Sequence, residues 1–469
     1  MEPSTQTTGS WLRRHRLAVF GWGGILLFIL LLLAFSLFQR HRTQGKINTK
    51  LAAIRTQNLP TNLAELDTFY THIPDADNGT VLLLQYRNHY VEWDEIYAPW
   101  IGDLSSNSVM YVTNPITPAA RAILQGIIVS NQTALRLIYD AVAKPKWRYP
   151  VDLNQGATNL LPDLIEPKKI TKLLRVESLH HLAEGRHSAA LKSIGVSFQV
   201  SDSLAGEPTL ISFLVRNACL SVSESSLEML LQRDGFPSPD LASLQQMIAD
   251  SESKTDLLRI LHGERTFIIG SWHEPAGQQL FTSSTPFDTW PPPLQKFGWA
   301  VYESGGAKSA DLLNFLYICE ELEAILKLDP MTALQQTRTL EDRFIPLGKP
   351  SMDMIATAYL TPIMLSMVEK HAGLITRLRI TQTALAIERF RMENKSLPKK
   401  LGELTPQYLK APLLDPFTQS PLLYRITKKG FRVYSTGENA QDDGGFTRSE
   451  KETPENDDIV FTVERTSAR

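Results

Sequence analysis

The run from Leu17 to Phe38, LAVFGWGGILLFILLLLAFSLF, constrains the chain more than any other stretch, because it contains no charged side chain. At ~1.5 Å per residue a helix of this run reaches about 33 Å, enough for the roughly 30 Å hydrocarbon core of a bilayer. Trp11 and Trp22 stand near one end, where interfacial aromatics collect. A cleaved signal peptide has a shorter apolar region and a small-residue cleavage site. Ala34-Phe35-Ser36 matches such a site poorly. The sequence therefore predicts a retained transmembrane helix over 17–38, in contact with the lipid bilayer, behind a cytoplasmic tail at 1–16. Arg13, Arg14 and Arg16 precede the run, and Arg40, Arg42, Lys46 and Lys50 come after it, so flanking charge alone does not orient it. A short tail ahead of a long domain favours tail inside. The expectation is a single-pass protein of the inner (cytoplasmic) membrane, with its bulk periplasmic or extracytoplasmic.

The chain beyond this run is long enough for about two or three domains on the length prior. The protein has 469 residues, and 43% of them are hydrophobic against 21% charged, so a core can be buried. The net charge is −2 and no lysine/arginine cluster interleaves with aromatics, so no nucleic-acid partner is expected. The only cysteines, Cys219 and Cys319, both sit in apolar, helical-looking runs. There a thiol behaves as a small hydrophobe. Spacing neither requires nor forbids a bridge between them.

Periodicity divides the remainder. A helical domain is expected over 47–345. TVLLLQY at 80–86 reads as a buried strand or a helix turn, too short for periodicity to decide. In 121–143, Ile123, Ile127, Leu135, Ile138 and Val142 recur at helical spacing, giving one amphipathic helix or a pair. From Ile170 to Leu261 short helices stack, with a turn at Glu184-Gly185-Arg186 like the hinge of a tetratricopeptide pair, although no fixed repeat period is present. Pro208 reads as a first-turn residue of one helix, and Ser238 as the cap of another with Pro239 at its first position. The proline-rich segment within 271–308 reads as a long connector or a surface lobe rather than an ordered helix. Helices resume at Ser309–Leu328 and Met331–Arg343, and a long one spans Met352 to Asn394. LLYRI and FRVYS, joined by Lys428-Lys429-Gly430, read as a hairpin, and IVFTV at 459–463 as a third strand. Fold class is thus mainly α: an irregular, TPR-like central domain and a small α+β domain over 351–463 with a short antiparallel sheet. Residues 464–469 read as a flexible tail.

Within residues 384–461, Leu397, Pro398, Asp415, Pro416, Phe417, Pro421, Tyr424, Tyr434, Ser435, Gly437, Gly444, Gly445, Asp457, Asp458 and Ile459 form a set of positions. Together they resemble the C-terminal domain of the major pseudopilin of type II secretion. The resemblance implies a calcium site in the acidic loop YSTGENAQDDGG, with Thr436 and Gln441 lending carbonyls, Asn439 in place of the family's aspartate, and Asp457 or Asp458 completing the shell. Calcium takes six to eight oxygens from such loops. Asn439 removes a charge and the insert 446–456 lengthens the loop, so a solvated acidic loop is the alternative. No leader with the pattern GFTLxE precedes Met352, so a filament subunit is not expected. GEPTLISFLVRNACL, SPDLASLQQMIAD and LHGERTFIIG resemble uncharacterised membrane-anchored proteins of planctomycete and verrucomicrobial bacteria, which pair such a region with a pseudopilin-like tail.

Other motifs carry less. In HHLAEGRH, His180 and Glu184 share a helix face, but the zincin spacing is absent and Gly185 breaks the helix before His187. In HGER, His262 and Glu264 are two apart and do not face each other on a helix, so Glu264 and Arg265 read as structural. WPPP at 290–293 reads as a rigid connector or an extended partner ligand. The sequence favours a non-enzymatic envelope protein with a protein partner, an interaction or secretion-associated module. The alternative is an envelope hydrolase, which requires a pocket where acids and bases converge.

Overall fold

The computed structural model describes residues 16–93, 116–151, 161–272, 287, 290–304, 306–344, 350–446 and 458–465. The tail before Arg16, Asp457, most of the 446–456 insert and the last four residues lie outside them.

The apolar run and the basic segment behind it form one helix, α1 (Arg16–Thr56). Leu26, Leu27, Phe28, Leu31, Phe35 and Phe38 on it are all more than half exposed. At 3.6 residues per turn these positions spread over about 200° of the helix rather than along one narrow face. Among the described residues no helix is long and apolar enough to cross a membrane, so the structure does not support the span expected over 17–38. The side chains of Ile25, Ile29, Leu32 and Leu33, in the middle of that run, are outside the described set.

Next come α2 (Leu63–Phe69) and α3 (Gly79–Gln85), so TVLLLQY is a helix turn. Asn62 and Asn78 set their starts: each side-chain oxygen accepts a first-turn N–H, from Glu65 at 2.9 Å and Thr80 at 3.1 Å. The 121–143 run is a pair, α4 (Pro118–Ser130) and α5 (Gln132–Val142). Fully buried Asn131 makes the break, its amide donating to Ile127 O and Val91 O while its Oδ1 accepts from Val91 N.

The stack continues as α6 (Leu161–Leu164), α7 (Glu166–Ala183), α8 (His187–Asp202), α9 (Leu210–Leu231), α10 (Ser238–Glu252) and α11 (Leu257–Ser271). Gly185, at φ +70°, makes the expected turn between α7 and α8, a conformation that costs a glycine little. Two helix starts differ from expectation. Thr209, not Pro208, opens α9, and Ser238 is the first residue of α10 rather than its cap, with Pro239 still harmless in the first turn.

The proline-rich segment reads in sequence as a connector, yet α12 (Pro292–Ser304) forms there. Its two prolines occupy the first turn, where the missing N–H groups have no intrahelical partner to lose. Then come α13 (Ala307–Ile325), α14 (Pro330–Phe344) and α15 (Ile355–Asn394), and a sheet of β1 (Leu423–Ile426), β2 (Gly430–Ser435) and β3 (Ile459–Glu464). The sheet is antiparallel in the order β1-β2-β3, with Leu423 opposite Tyr434 and Phe431 opposite Val463. The molecule is therefore mainly helical with one small three-stranded antiparallel sheet near its C-terminus.

Contacts divide the chain into two compact units. The first comprises Met1–Asn58, Trp272–Glu320 and Arg343–Pro362; the second comprises Leu59–Ser271, Glu321–Asp342 and Ile363–Arg469. Each takes part of both the 47–345 and the 351–463 segments. The first unit has a small core of Phe287, Tyr302 and Ile355, with Trp299, Ala307 and Met352 against it. Asp311, fully buried, starts α15 by accepting from Ala356 N at 2.8 Å and Thr357 N at 3.0 Å, while Tyr302 OH donates to it at 2.8 Å. Lys50 of α1 pairs with Glu320 and lies 3.9 Å over the Tyr317 ring.

The second unit is centred on α7, α8 and α9, where Leu173, Leu174, Ile194, Phe198, Leu220 and Leu227 are fully buried. Two arginines are buried with them. Arg175 donates to Ser226 Oγ at 2.8 Å and Val222 O at 3.1 Å. Arg216 pairs with Asp202 at 2.8 Å and donates to Ser251 O at 2.9 Å.

Candidate functional site

The acidic loop leaves β2 through a buried serine. Ser435 Oγ donates to Asp415 Oδ2 at 2.7 Å and accepts from Gly437 N at 2.9 Å, which fixes the turn after the strand. Gly437, Gly444 and Gly445 all take positive φ, at +64°, +92° and +67°, so the loop folds back where other residues would be strained. Asp442 Oδ1 accepts from Gly444 N and Asp458 Oδ2 from Gly445 N, both at 2.8 Å. Asp458 thereby ties the start of β3 to the glycine pair. Burial and the charges of Asp443 and Asp442 push its carboxyl above the usual range, against the N–H bonds that lower it.

Of the expected calcium residues, Thr436, Asn439, Gln441 and Asp458 are described. Thr436 is 8% exposed, and its hydroxyl has no hydrogen-bond partner among the described residues. Asn439 Oδ1 accepts from Gln441 N at 2.8 Å, a local turn between these two. Asp458 is engaged with Gly445, and Asp457 is outside the described residues. Glu438 turns away to Arg338 on α14 at 3.3 Å. Among the described residues no three histidine, cysteine, aspartate or glutamate side chains group closely enough to hold a metal ion. Asp458 feels the charges of Asp442 and Asp443.

More exact geometry lies where the sheet meets α9. The outer edge of β3 would leave its backbone groups unpaired. Two side chains of α9 and its C-cap pair them: Thr462 N donates to Glu228 Oε1 at 2.7 Å, Glu464 N to Gln232 Oε1 at 2.6 Å, and Gln232 Nε2 to Thr462 O at 2.7 Å. Arg465, just beyond, bonds Glu388 of α15 at 2.5 Å, and Arg391 bonds the same carboxylate at 3.0 Å. Burial pushes the Glu228 carboxyl up to about 8, with the Thr462 N–H opposing and the Glu224 charge adding. Glu224, held by Arg377 at 3.2 Å, is raised by burial to about 7. These acids are backbone and guanidinium partners. Sequence reading passes over Glu228 and Gln232, though a polar pair four apart inside the apolar run SLEMLLQ is the available signal.

The remaining motifs are structural in their contacts. Arg186 donates to His181 Nδ1 at 3.1 Å and lies 3.1 Å from His180 Nε2, so a guanidinium stands where a metal would bind. Burial and that charge lower both imidazoles, His181 to about 4. His187 packs its ring edge on Phe236. In HGER, Glu264 accepts from Leu210 N at 2.9 Å and so caps α9, while His262 and Arg265 both approach Glu323, at 3.3 and 3.9 Å. Cys219 and Cys319 are both buried, and burial raises Cys219 to about 12.

Concavities open on the second unit among the described residues. One of about 670 Å³ is lined by Leu191, Lys192, Gly195, Asp240, Leu244 and Met247. A second, about 460 Å³, includes Thr255, Asp256, Val368 and His371. A third, about 360 Å³, includes Asn217, Glu369, Lys370 and Glu438. Burial and the neighbouring Glu438 raise Glu369. Among the described lining residues, no serine or threonine hydroxyl hydrogen-bonds to a histidine. The chain matches no protein-family model, and no curated protein or solved structure matches it.

Proposed function

We propose that the chain is a single-pass, membrane-anchored, non-enzymatic protein of the cell envelope, an interaction or secretion-associated module. In this reading residues 17–38 sit in the bilayer. The helical body offers grooves to a protein partner, and the pseudopilin-like α+β segment, clamped at β3, braces that body. The observation that carries it is α1: one uninterrupted helix over a run without a charged side chain from Leu17 to Phe38, whose exposed apolar side chains from Leu26 to Phe38 cover more than half its circumference. A helix that is apolar all round has no polar side to give to water. Calcium in the 434–458 loop belongs to the same reading and rests on the pseudopilin resemblance.

Alkaline carbonate extraction of membranes from cells expressing the full chain tests the anchor. The chain should stay in the pellet and come out with detergent, and Leu27→Arg with Leu31→Arg should move it to the supernatant. Recovery of the unmodified chain in the supernatant would overturn the proposal.

A further inference from the structure

α12 carries apolar residues on two faces. Its inner face, with Gly298, Trp299 and Tyr302, closes the core around Phe287, where a Cβ on Gly298 would stand 2.6 Å from the ring. Its outer face shows Leu294 at 51%, Phe297 at 62% and Val301 at 37% exposure. Positions i, i+3 and i+7 form one stripe along a helix. Trp290, 40% exposed, stands just ahead of it. A helix that packs on a core needs only one apolar face, and a second exposed one marks a contact surface.

The location of this face selects its partner. Just past α12 the chain turns at Gly306, φ +88°, and a Cβ there would lie 3.4 Å from Arg40 Cβ. Arg40 is two residues beyond Phe38, where the apolar run gives way to the basic segment. The C-terminal end of α12 is therefore level with the boundary on α1 between apolar and charged side chains. Arg40 and Arg42 are exposed there and suit anionic headgroups. Tryptophan and an apolar stripe suit the boundary between headgroups and acyl chains.

We propose that the outer stripe of α12 is a second membrane contact, lying in the interfacial layer beside the point where α1 leaves the bilayer. This rests on the anchor reading of α1. The partner is the lipid surface itself, with Leu294, Phe297 and Val301 inserted and Trp290 at the headgroup level.

Depth-dependent fluorescence quenching separates the two readings. The full chain is reconstituted in phosphatidylcholine/phosphatidylglycerol vesicles as Phe297→Cys, Val301→Cys or Leu27→Cys, each carrying an environment-sensitive label. The native thiols are buried, at 0% and 1% exposure, and do not compete. Labels at 297 and 301 should lose more fluorescence to nitroxides placed near the headgroup than to nitroxides deep in the chain, and the label at 27 should do the reverse. Deep quenching at 27 with none at 297 and 301 overturns this inference and leaves the anchor intact. No quenching at 27 overturns the anchor, and this inference with it.

Discussion

Replacing Glu228 with glutamine tests the clamp on β3 in a way that separates geometry from charge. The carboxyl is 8% exposed and accepts the Thr462 N–H at 2.7 Å. Glutamine keeps an acceptor oxygen there but cannot ionise. The native carboxyl titrates near 8 when folded against 4.5 as its ordinary value. Between these values the folded state holds a proton that the unfolded state has released, so stability falls as pH rises from about 4.5 to about 8. The slope is at most about 1.4 kcal/mol per pH unit for one group. From pH 5 to pH 7 the native clamp should therefore lose up to about 2–3 kcal/mol relative to Glu228→Gln, about a hundredfold in exchange protection. The assay is hydrogen exchange of the β3 amides, native and variant compared at each pH. Near-equal protection at pH 5 and better protection of the variant at pH 7 is the expected pattern. Parallel profiles from pH 5 to 8 would refute the reasoning, because the carboxyl would then be no more costly to ionise folded than unfolded. Glu224 and Glu207, raised to about 7 and about 8, titrate in the same sense and remain in the variant, so some slope should persist in both.

Other substitutions address separate joints. Asp311→Ala strands two first-turn N–H groups of α15 and the Tyr302 hydroxyl, and should cost about 3 kcal/mol in thermal or denaturant unfolding of the full chain. Gly263→Ala puts a Cβ 1.8 Å from Pro208 O, with backbone on the far side, so the variant should accumulate poorly or lose most of its cooperative unfolding signal. Calorimetric titration of the full chain should give heat and a higher melting temperature at calcium on the order of millimolar, and Asp458→Asn should abolish both. No heat from the native chain would remove calcium from the proposal.

Local pattern makes much of this fold legible. The 121–143 pair comes from helical spacing, and the β1–β2 hairpin from a glycine turn between two alternating runs. Gly185 marks its own turn. The failures have physical causes. α12 is hidden because Trp290-Pro-Pro-Pro reads as a breaker, whereas prolines in a first turn break nothing. The start of α9 is displaced because Thr209 supplies the cap one residue beyond Pro208. The most exact geometry is invisible in sequence, since Glu228 and Thr462 are 234 residues apart and Glu264 and Leu210 are 54 apart, distances over which no periodicity carries information. The acidic loop announces its composition but not its outcome, in which glycine N–H groups take up Asp442 and Asp458.

Protease access in spheroplasts tests the central claim most directly. With the chain anchored through residues 17–38 and its bulk outside the inner membrane, added proteinase should remove a C-terminal tag from intact spheroplasts. A tag that survives until detergent is added, while an established periplasmic marker is digested, would contradict the account.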